Sequence, residues 1–219
     1  VVMPLTTQGD APIHYTLDGS EPTAASPRYT GPVEIGKSAR FRATALREGG
    51  ENASYSREFA FSKSTGRPAV LNTKPNDSYT FEGASLLVDG YHSRPVFTSG
   101  AWLGYLDEPL DVTIDMGGEQ SYRSVELETL AEKGDWIFPP SSVTVWVSDN
   151  GTDFTEVASV TVPEAKAGDA DGIGRYRMQF PETSARYLKV VAQNAAAIPA
   201  WHPGAGSKGF LFVDEIVVE

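Results

Sequence analysis

The chain has no cysteine, which excludes thiol nucleophiles, disulfide bridges and cysteine-ligated zinc, although a cysteine-free chain suits export as well as the cytosol. Histidine is almost as scarce. His14, His92 and His202 are too few and too scattered in sequence to suggest a metal centre. Basic residues are outnumbered, 18 Lys and Arg against 29 Asp and Glu, for a net charge of −11. That balance opposes phosphate backbones and anionic lipid, both of which need clustered Lys and Arg, so no nucleic acid partner is expected. No apolar run is long enough to span a bilayer, and membrane insertion is not expected either. The chain opens Val1-Val2-Met3-Pro4-Leu5 with neither an initiator methionine nor a signal peptide, as expected of a piece cut from a longer protein whose targeting signal lay elsewhere. No nucleophile or acid/base motif of the serine-hydrolase type occurs.

What is present is 21 glycines and 15 prolines, which punctuate short runs of β-branched and aromatic residues at the spacing of antiparallel sandwiches. An all-β chain with almost no helix is expected. Composition shifts near Ser64-Thr65-Gly66-Arg67-Pro68. Trp102, Trp136, Trp146 and Trp201 all follow it, and since residues 1–63 hold seven acids and seven bases, the whole net charge falls on residues 64–219. Two domains are therefore expected, at 1–63 and 70–219, with a linker at 64–69.

In the first, Ile13, Tyr15 and Leu17 alternate with His14 and Thr16, and Phe41, Ala43 and Ala45 alternate with Arg42 and Thr44; both read as half-buried strands, with His14 facing outward. With Val1 to Leu5, Val33 to Ile35 and Tyr55 to Phe61 they make a small immunoglobulin-like sandwich. In the second, the expected strands are Val112 to Met116, a turn at Gly117-Gly118, Val125 to Thr129, Val143 to Ser148, Tyr187 to Ala192 and Phe210 to Val218. Asp149 to Phe154 is expected as a hairpin loop with positive φ at Asn150-Gly151. The set fits a jelly-roll-like sandwich.

The run Tyr15-Thr16-Leu17-Asp18-Gly19-Ser20-Glu21-Pro22-Thr23, followed by Tyr29-Thr30-Gly31-Pro32-Val33, resembles the chitobiase/β-hexosaminidase C-terminal domain, in which this motif is a strand and turn with a scaffold role. In the second segment Leu87-Val88-Asp89-Gly90, Trp102, Val112 to Gly117, Val143 to Gly151, Ala185 to Val190 and Glu215-Ile216 stand in the order of the coagulation factor type C, or discoidin, domain. The carbohydrate-binding modules of family 32 share that fold. The insert from Tyr91 to Gly100 and the islands Asp135 to Pro140 and Trp201 to Gly206 look like the discoidin domain that follows the chitobiase C-terminal domain in bacterial family 20 glycoside hydrolases. The resemblance implies a parent β-N-acetylhexosaminidase whose catalytic domain lies upstream, a glycan partner containing GlcNAc, GalNAc or galactose, and a periplasmic, cell-surface or secreted location.

Sugars present an apolar C–H face and polar edges, so a binding site needs flat exposed rings beside hydrogen-bonding side chains. Trp102, Tyr105, Trp136, Trp201 and His202 are the candidates, all expected in loops. Each has a structural alternative: a core ring, a loop staple, or a docking contact with the missing catalytic domain, which would make the chain a purely structural module. His202 could equally bond a carbonyl within its own loop. Discoidin domains often carry structural calcium, and the resemblance implies carboxylate ligands from Asp89 and Glu215 and carbonyl ligands from Leu86, Tyr91 and Asp214. The loop Tyr91-His92-Ser93-Arg94-Pro95 departs from the usual shorter, small polar loop, and Arg94 offers an alternative counter-charge. Asp169-Ala170-Asp171-Gly172 lacks the remaining ligands of a calcium-binding helix-loop-helix and reads as a solvated hairpin tip. A glycosidase needs two carboxyls about 5–9 Å apart in a pocket, and no such pair is evident beside pocket-forming aromatics, so no catalysis is expected of this chain.

Overall fold

The computed structural model describes residues 2–7, 10–47, 49 and 51–219; Val1, where the sequence places the start of the first strand, lies outside the described residues. The chain divides into two compact units, Val1–Phe61 and Ser62–Glu219.

In the first unit β1 (Val2–Met3) pairs with β3 (Val33–Glu34), while β2 (Ile13–Thr16), β4 (Ala39–Ala45) and β5 (Ala53–Phe59) form an antiparallel sheet in the order β2-β4-β5. Met3, Val33, Ile35, Phe41, Ala43 and Phe59 meet as its core. The turn after β2 is closed by Asp18, whose Oδ1 accepts the Ser20 amide at 2.9 Å and the Ser20 hydroxyl at 2.6 Å, with Gly19 at φ +85°. These bonds hold the Asp18 carboxyl below its ordinary pKa. His14 does not face outward: it is buried, with Nδ1 2.8 Å from the Ser26 carbonyl oxygen.

The second unit comprises β6 (Ala69–Leu71), β7 (Leu103–Tyr105), β8 (Leu110–Ala131), β9 (Ser142–Ser148), β10 (Thr155–Thr161), β11 (Gly172–Gln193) and β12 (Leu211–Val218), with helix confined to four 3-10 turns. Gly117-Gly118 turns the chain without ending the strand. Thus β8 runs 22 residues through it, and β11 runs 22 residues beside it. The pairing jumps from Ala185↔Gln120 to Tyr187↔Asp115, a bulge that lets both strands leave one sheet and continue in the other. One layer is thus β10-β9-β11-β8-β6, from Tyr187–Gln193 and Leu110–Asp115; the other is β11-β8-β12-β7, from the remaining halves. Gly117 at φ +78° supplies the bend. Between the layers Val112, Ile114, Met116, Val125, Leu127, Val145, Leu188, Val190 and Ile216 are buried, the inward members of each alternation. At the hairpin before β10 only Gly151 has positive φ, and the Asn150 side chain accepts the Thr152 and Asp153 amides.

Residues 64–69 are not a linker. The Ser64 hydroxyl donates to the Ile216 carbonyl at 2.6 Å, the Lys63 amide to Val218 and the Gly66 amide to Val88, and β6 is a strand of the sandwich. Chain entry and exit of this unit therefore share one end. The loops 106–109, 132–141, 162–171 and 194–210 emerge at the other.

Candidate functional site

Three of those loops are tied into one surface. After β8 the chain makes a tight 3-10 turn, Lys133–Asp135, and Trp136 follows in the left-handed region at φ +64°, its amide bonded to the Lys133 carbonyl. The same carbonyl oxygen lies 2.9 Å from Nε2 of His202, while Nδ1 of His202 accepts the Gly204 amide at 3.0 Å. Since Nδ1 is an acceptor, Nε2 carries the proton and donates. The Lys133 ammonium, on a buried side chain, pairs with Asp171 of the third loop and holds its carboxyl below the ordinary value. The Trp201 indole N–H donates to the Ala165 carbonyl at 2.9 Å, a second tie to that loop.

Around His202 the rings of Trp136, Phe138 and Trp201 stand edge-on, with centroids 6.0, 5.5 and 5.6 Å away. Phe138 is buried, whereas Trp136 and Trp201 remain 42% and 39% exposed. A Cβ on Gly204 would lie 2.8 Å from the Trp136 ring, so the indole rests directly on this glycine. Two exposed indoles are thereby held in fixed orientation at the loop end. Nearby, burial first and then Asp135 hold the Glu132 carboxyl above its ordinary value.

The other sequence candidates lie elsewhere. Trp102 is wholly buried, its indole N–H bonded to the Arg94 carbonyl at 2.9 Å, within a second cluster of Leu130, Ile137 and Phe212 on the outer face of the sheet. Tyr105 is wholly buried in the main core. Neither offers a face to a ligand: the segment from Tyr79 to Ala101 folds over Trp102 on the outer side of the sheet, and Tyr105 is enclosed between the two layers. His202 is 92% buried with both ring nitrogens engaged, so it staples loops together and has no free atom for ligand. Sequence reading missed Lys133 and Asp171. A lysine between two loops carries no sign of burial, and Asp171 is not simply a solvated tip.

The implied cation ligands gather at a bulge. Val213 faces Thr129 and Ile216 faces Leu127, so Asp214 and Glu215 together face Glu128, beneath Asp89 to Ser93. Asp214, Glu215 and Glu128 are buried. Glu215 accepts the Gly90 amide at 3.1 Å through Oε2, and Asp214 accepts the Ser93 amide at 2.7 Å through Oδ2, so the Asp214 carboxylate, not only its carbonyl, is turned inward. Among the described residues the oxygens Glu215 Oε1, Asp214 Oδ1 and Glu128 Oε1 have no hydrogen-bond partner. His92 Nδ1 and Arg175 Nε each approach Glu128 Oε2 at 2.8 Å. Burial, reinforced by the neighbouring carboxylates, pushes Glu215 up to about 10 and Asp214 up to about 8. Asp89 Oδ1 accepts the Tyr91 amide at 2.7 Å, and Leu86 is buried in the 3-10 turn Gly83–Val88. Orphaned, buried carboxylate oxygens fit a hard cation. Among the described residues no three His, Asp or Glu side chains form a metal-ligand group by themselves, so carbonyl ligands would have to complete the shell.

The fold and this loop end define an all-β protein whose larger unit is a jelly-roll sandwich with an aromatic rim. The chain belongs to the F5/8 type C domain family, whose profile matches residues 72–208. Residues 3–59 match the Fn3 associated family where the sequence resembled the chitobiase C-terminal domain. Among solved structures it is similar to chitosan-binding module 1 of a chitosanase/glucanase from Paenibacillus sp. IK-5, at 18% identity and TM-score 0.47 over 72% of this chain and 98% of that one. It is also similar to CpGH89CBM32-5 from Clostridium perfringens in complex with GalNAc-β-1,3-galactose, at 17% identity and TM-score 0.46 over 69% and 93%. A fucose binding module of Streptococcus pneumoniae is similar at 21% identity and TM-score 0.45 over 73% and 94%. No curated protein matches the chain. Among the described residues no helix is long and apolar enough to cross a membrane.

Proposed function

We propose that this chain is a non-catalytic carbohydrate-binding region that keeps an attached glycoside hydrolase at its glycan. The observation that carries the reading is the pair of exposed indoles, Trp136 and Trp201, fixed around His202 on the loops opposite the unit's chain ends. A pyranose laid on one ring removes about 60–100 Å² from water, worth about 1.5–2.5 kcal/mol. One such site binds weakly, and linkage to a catalytic pocket raises the effective affinity. The parent enzyme we propose is a β-N-acetylhexosaminidase, supported by the tandem order of the two units, acting outside the cytoplasm in the periplasm, at the cell surface or after secretion. Calcium is the proposed structural ion, held by the carboxylates of Glu215 and Asp89, with Asp214 beside them; its role would be to neutralise the buried charge and fix the segment above the bulge.

The test is titration of the intact chain with a panel of GlcNAc-, GalNAc- and galactose-containing glycans, read by tryptophan fluorescence and amide resonances. A saccharide that shifts both signals, with Trp136→Ala and Trp201→Ala each weakening it about 10- to 60-fold, supports the proposal. No response to any glycan from the folded protein would favour the structural alternative, with the rings docking on the catalytic domain.

A further inference from the structure

The hairpin between β9 and β10 carries a chemically labile pair. Asn150-Gly151 is the only step in the chain where glycine follows asparagine; Asn52, Asn72, Asn76 and Asn194 precede Ala53, Thr73, Asp77 and Ala195, whose side chains crowd the amide that follows the asparagine. A glycine amide nitrogen is unhindered. It attacks the Cγ of the preceding asparagine, the new C–N bond closes a five-membered succinimide, and the side-chain nitrogen leaves as ammonia. Water then opens the ring at either carbonyl. One product is aspartate; the other is isoaspartate, in which the side-chain carbon has entered the backbone.

The fold opposes each part of that attack. Asn150 is exposed, yet its side chain is fully engaged. Its Oδ1 accepts the Thr152 amide, the Thr152 hydroxyl and the Asp153 amide, each at 2.9 Å, and the Ser148 hydroxyl at 3.0 Å, while its Nδ2 donates to Asp153 Oδ2 at 2.8 Å. The attacking nitrogen is occupied as well. The Gly151 amide donates at 3.0 Å to Oγ of Ser148, a buried residue, and a Cβ on Gly151 would lie 3.4 Å from the Tyr187 ring, so the tip is seated on the sheet. Turning the carboxamide toward the Gly151 nitrogen breaks these bonds together. The products do not fit the same seat: aspartate loses the Nδ2 donor and sets a further carboxylate between Asp149 and Asp153, and isoaspartate lengthens the backbone between Ser148 and Gly151. Either loosens the turn that holds β10, an edge strand whose pairing is with β9 alone.

We propose that Asn150-Gly151 is a site of spontaneous, irreversible modification that the native hairpin holds latent, and that its reaction on hairpin opening unties β10. The tip lies at the end of the sandwich opposite the aromatic rim, so the assignment is independent of the glycan reading. The experiment incubates the intact chain in mildly alkaline buffer, with and without unfolding guanidinium chloride. Residue 150 is followed by peptide mass spectrometry, with chromatographic separation of the aspartate and isoaspartate forms. Reaction in the folded protein is expected to be about 100-fold slower or more, because several hydrogen bonds must break at once. Ser148→Ala, and separately Asp153→Ala on the exposed tip, are expected to speed the folded-state reaction about 3- to 30-fold and to leave the unfolded rate within about twofold. Hydrogen exchange of the converted protein is expected to be faster across Thr155–Thr161 and unchanged in β11. Folded and unfolded rates within about threefold, no acceleration in the folded Asp153→Ala protein, or reaction concentrated at another asparagine would overturn the latent site. Unchanged exchange in β10 after conversion would overturn the untying.

Discussion

At the scale of single residues, Gly204 and Glu215 do the most with the least sequence signal. Gly204 is needed for space and not for backbone freedom, since its added Cβ would sit 2.8 and 2.9 Å from two Trp136 ring atoms. Gly204→Ala must push the indole off its seat. We expect a loss of about 1–3 kcal/mol in chemical denaturation and a changed Trp136 fluorescence maximum, because overpacking a closed contact costs that much. Glu215 and Asp214 set a pH dependence. Without a cation the folded state keeps protons up to about pH 10 and 8 that the unfolded chain releases near pH 4 to 5. The folded state therefore binds more protons across that window, and stability falls as pH rises through it. Thermal melts of chelator-treated protein should show the decline. At pH 8 added Ca²⁺ should raise the melting temperature by about 5 °C or more, and Glu215→Gln should flatten the slope and remove the Ca²⁺ response.

At the scale of elements, the long strands and the loops they carry behave differently. The strands β8 and β11 hold their pairing by alternation, and their bulge transfers them between layers. The loops hold by a few polar ties that converge on Lys133, whose carbonyl serves both Trp136 and His202 and whose ammonium serves Asp171. Replacing His202 with Phe keeps the ring packing but leaves the Gly204 amide without its acceptor. We expect about 1–3 kcal/mol of destabilisation. Hydrogen exchange should localise the loosening to residues 133–138 and 199–206, with the sheet amides unchanged. Equal loosening of the β8 and β11 amides would show that the loops and sheets are not separable in this way.

At the scale of the whole molecule, the second unit has its own core and its own closure. Residues 62–219 expressed alone should fold and bind glycan within twofold of the full chain. A fragment starting at residue 72, where the family match begins, loses β6 and the bonds of Lys63, Ser64 and Gly66 to Val218, Ile216 and Val88. At about 1 kcal/mol per hydrogen bond it should be less stable by about 3 kcal/mol or more in urea denaturation.

The sequence by itself determined the all-β class, the strands Val112 to Met116, Val125 to Thr129 and Val143 to Ser148, and the Asp18-Gly19-Ser20 turn. Period-2 alternation and turn chemistry are local and act wherever the chain lies. Only the tertiary structure decided the rest. It extended β8 through Gly117-Gly118, because a bulge and a turn read alike in sequence until a partner strand is present. It buried Trp102, Tyr105 and His202 while leaving Trp136 and Trp201 exposed, although all five are large ring residues expected in loops. Exposure of a ring depends on which distant segment covers it: residues 79–101 cover one face of the sheet, and a glycine two residues beyond His202 supports Trp136 from below. Such coverage is set by contacts across the fold, which local sequence does not encode.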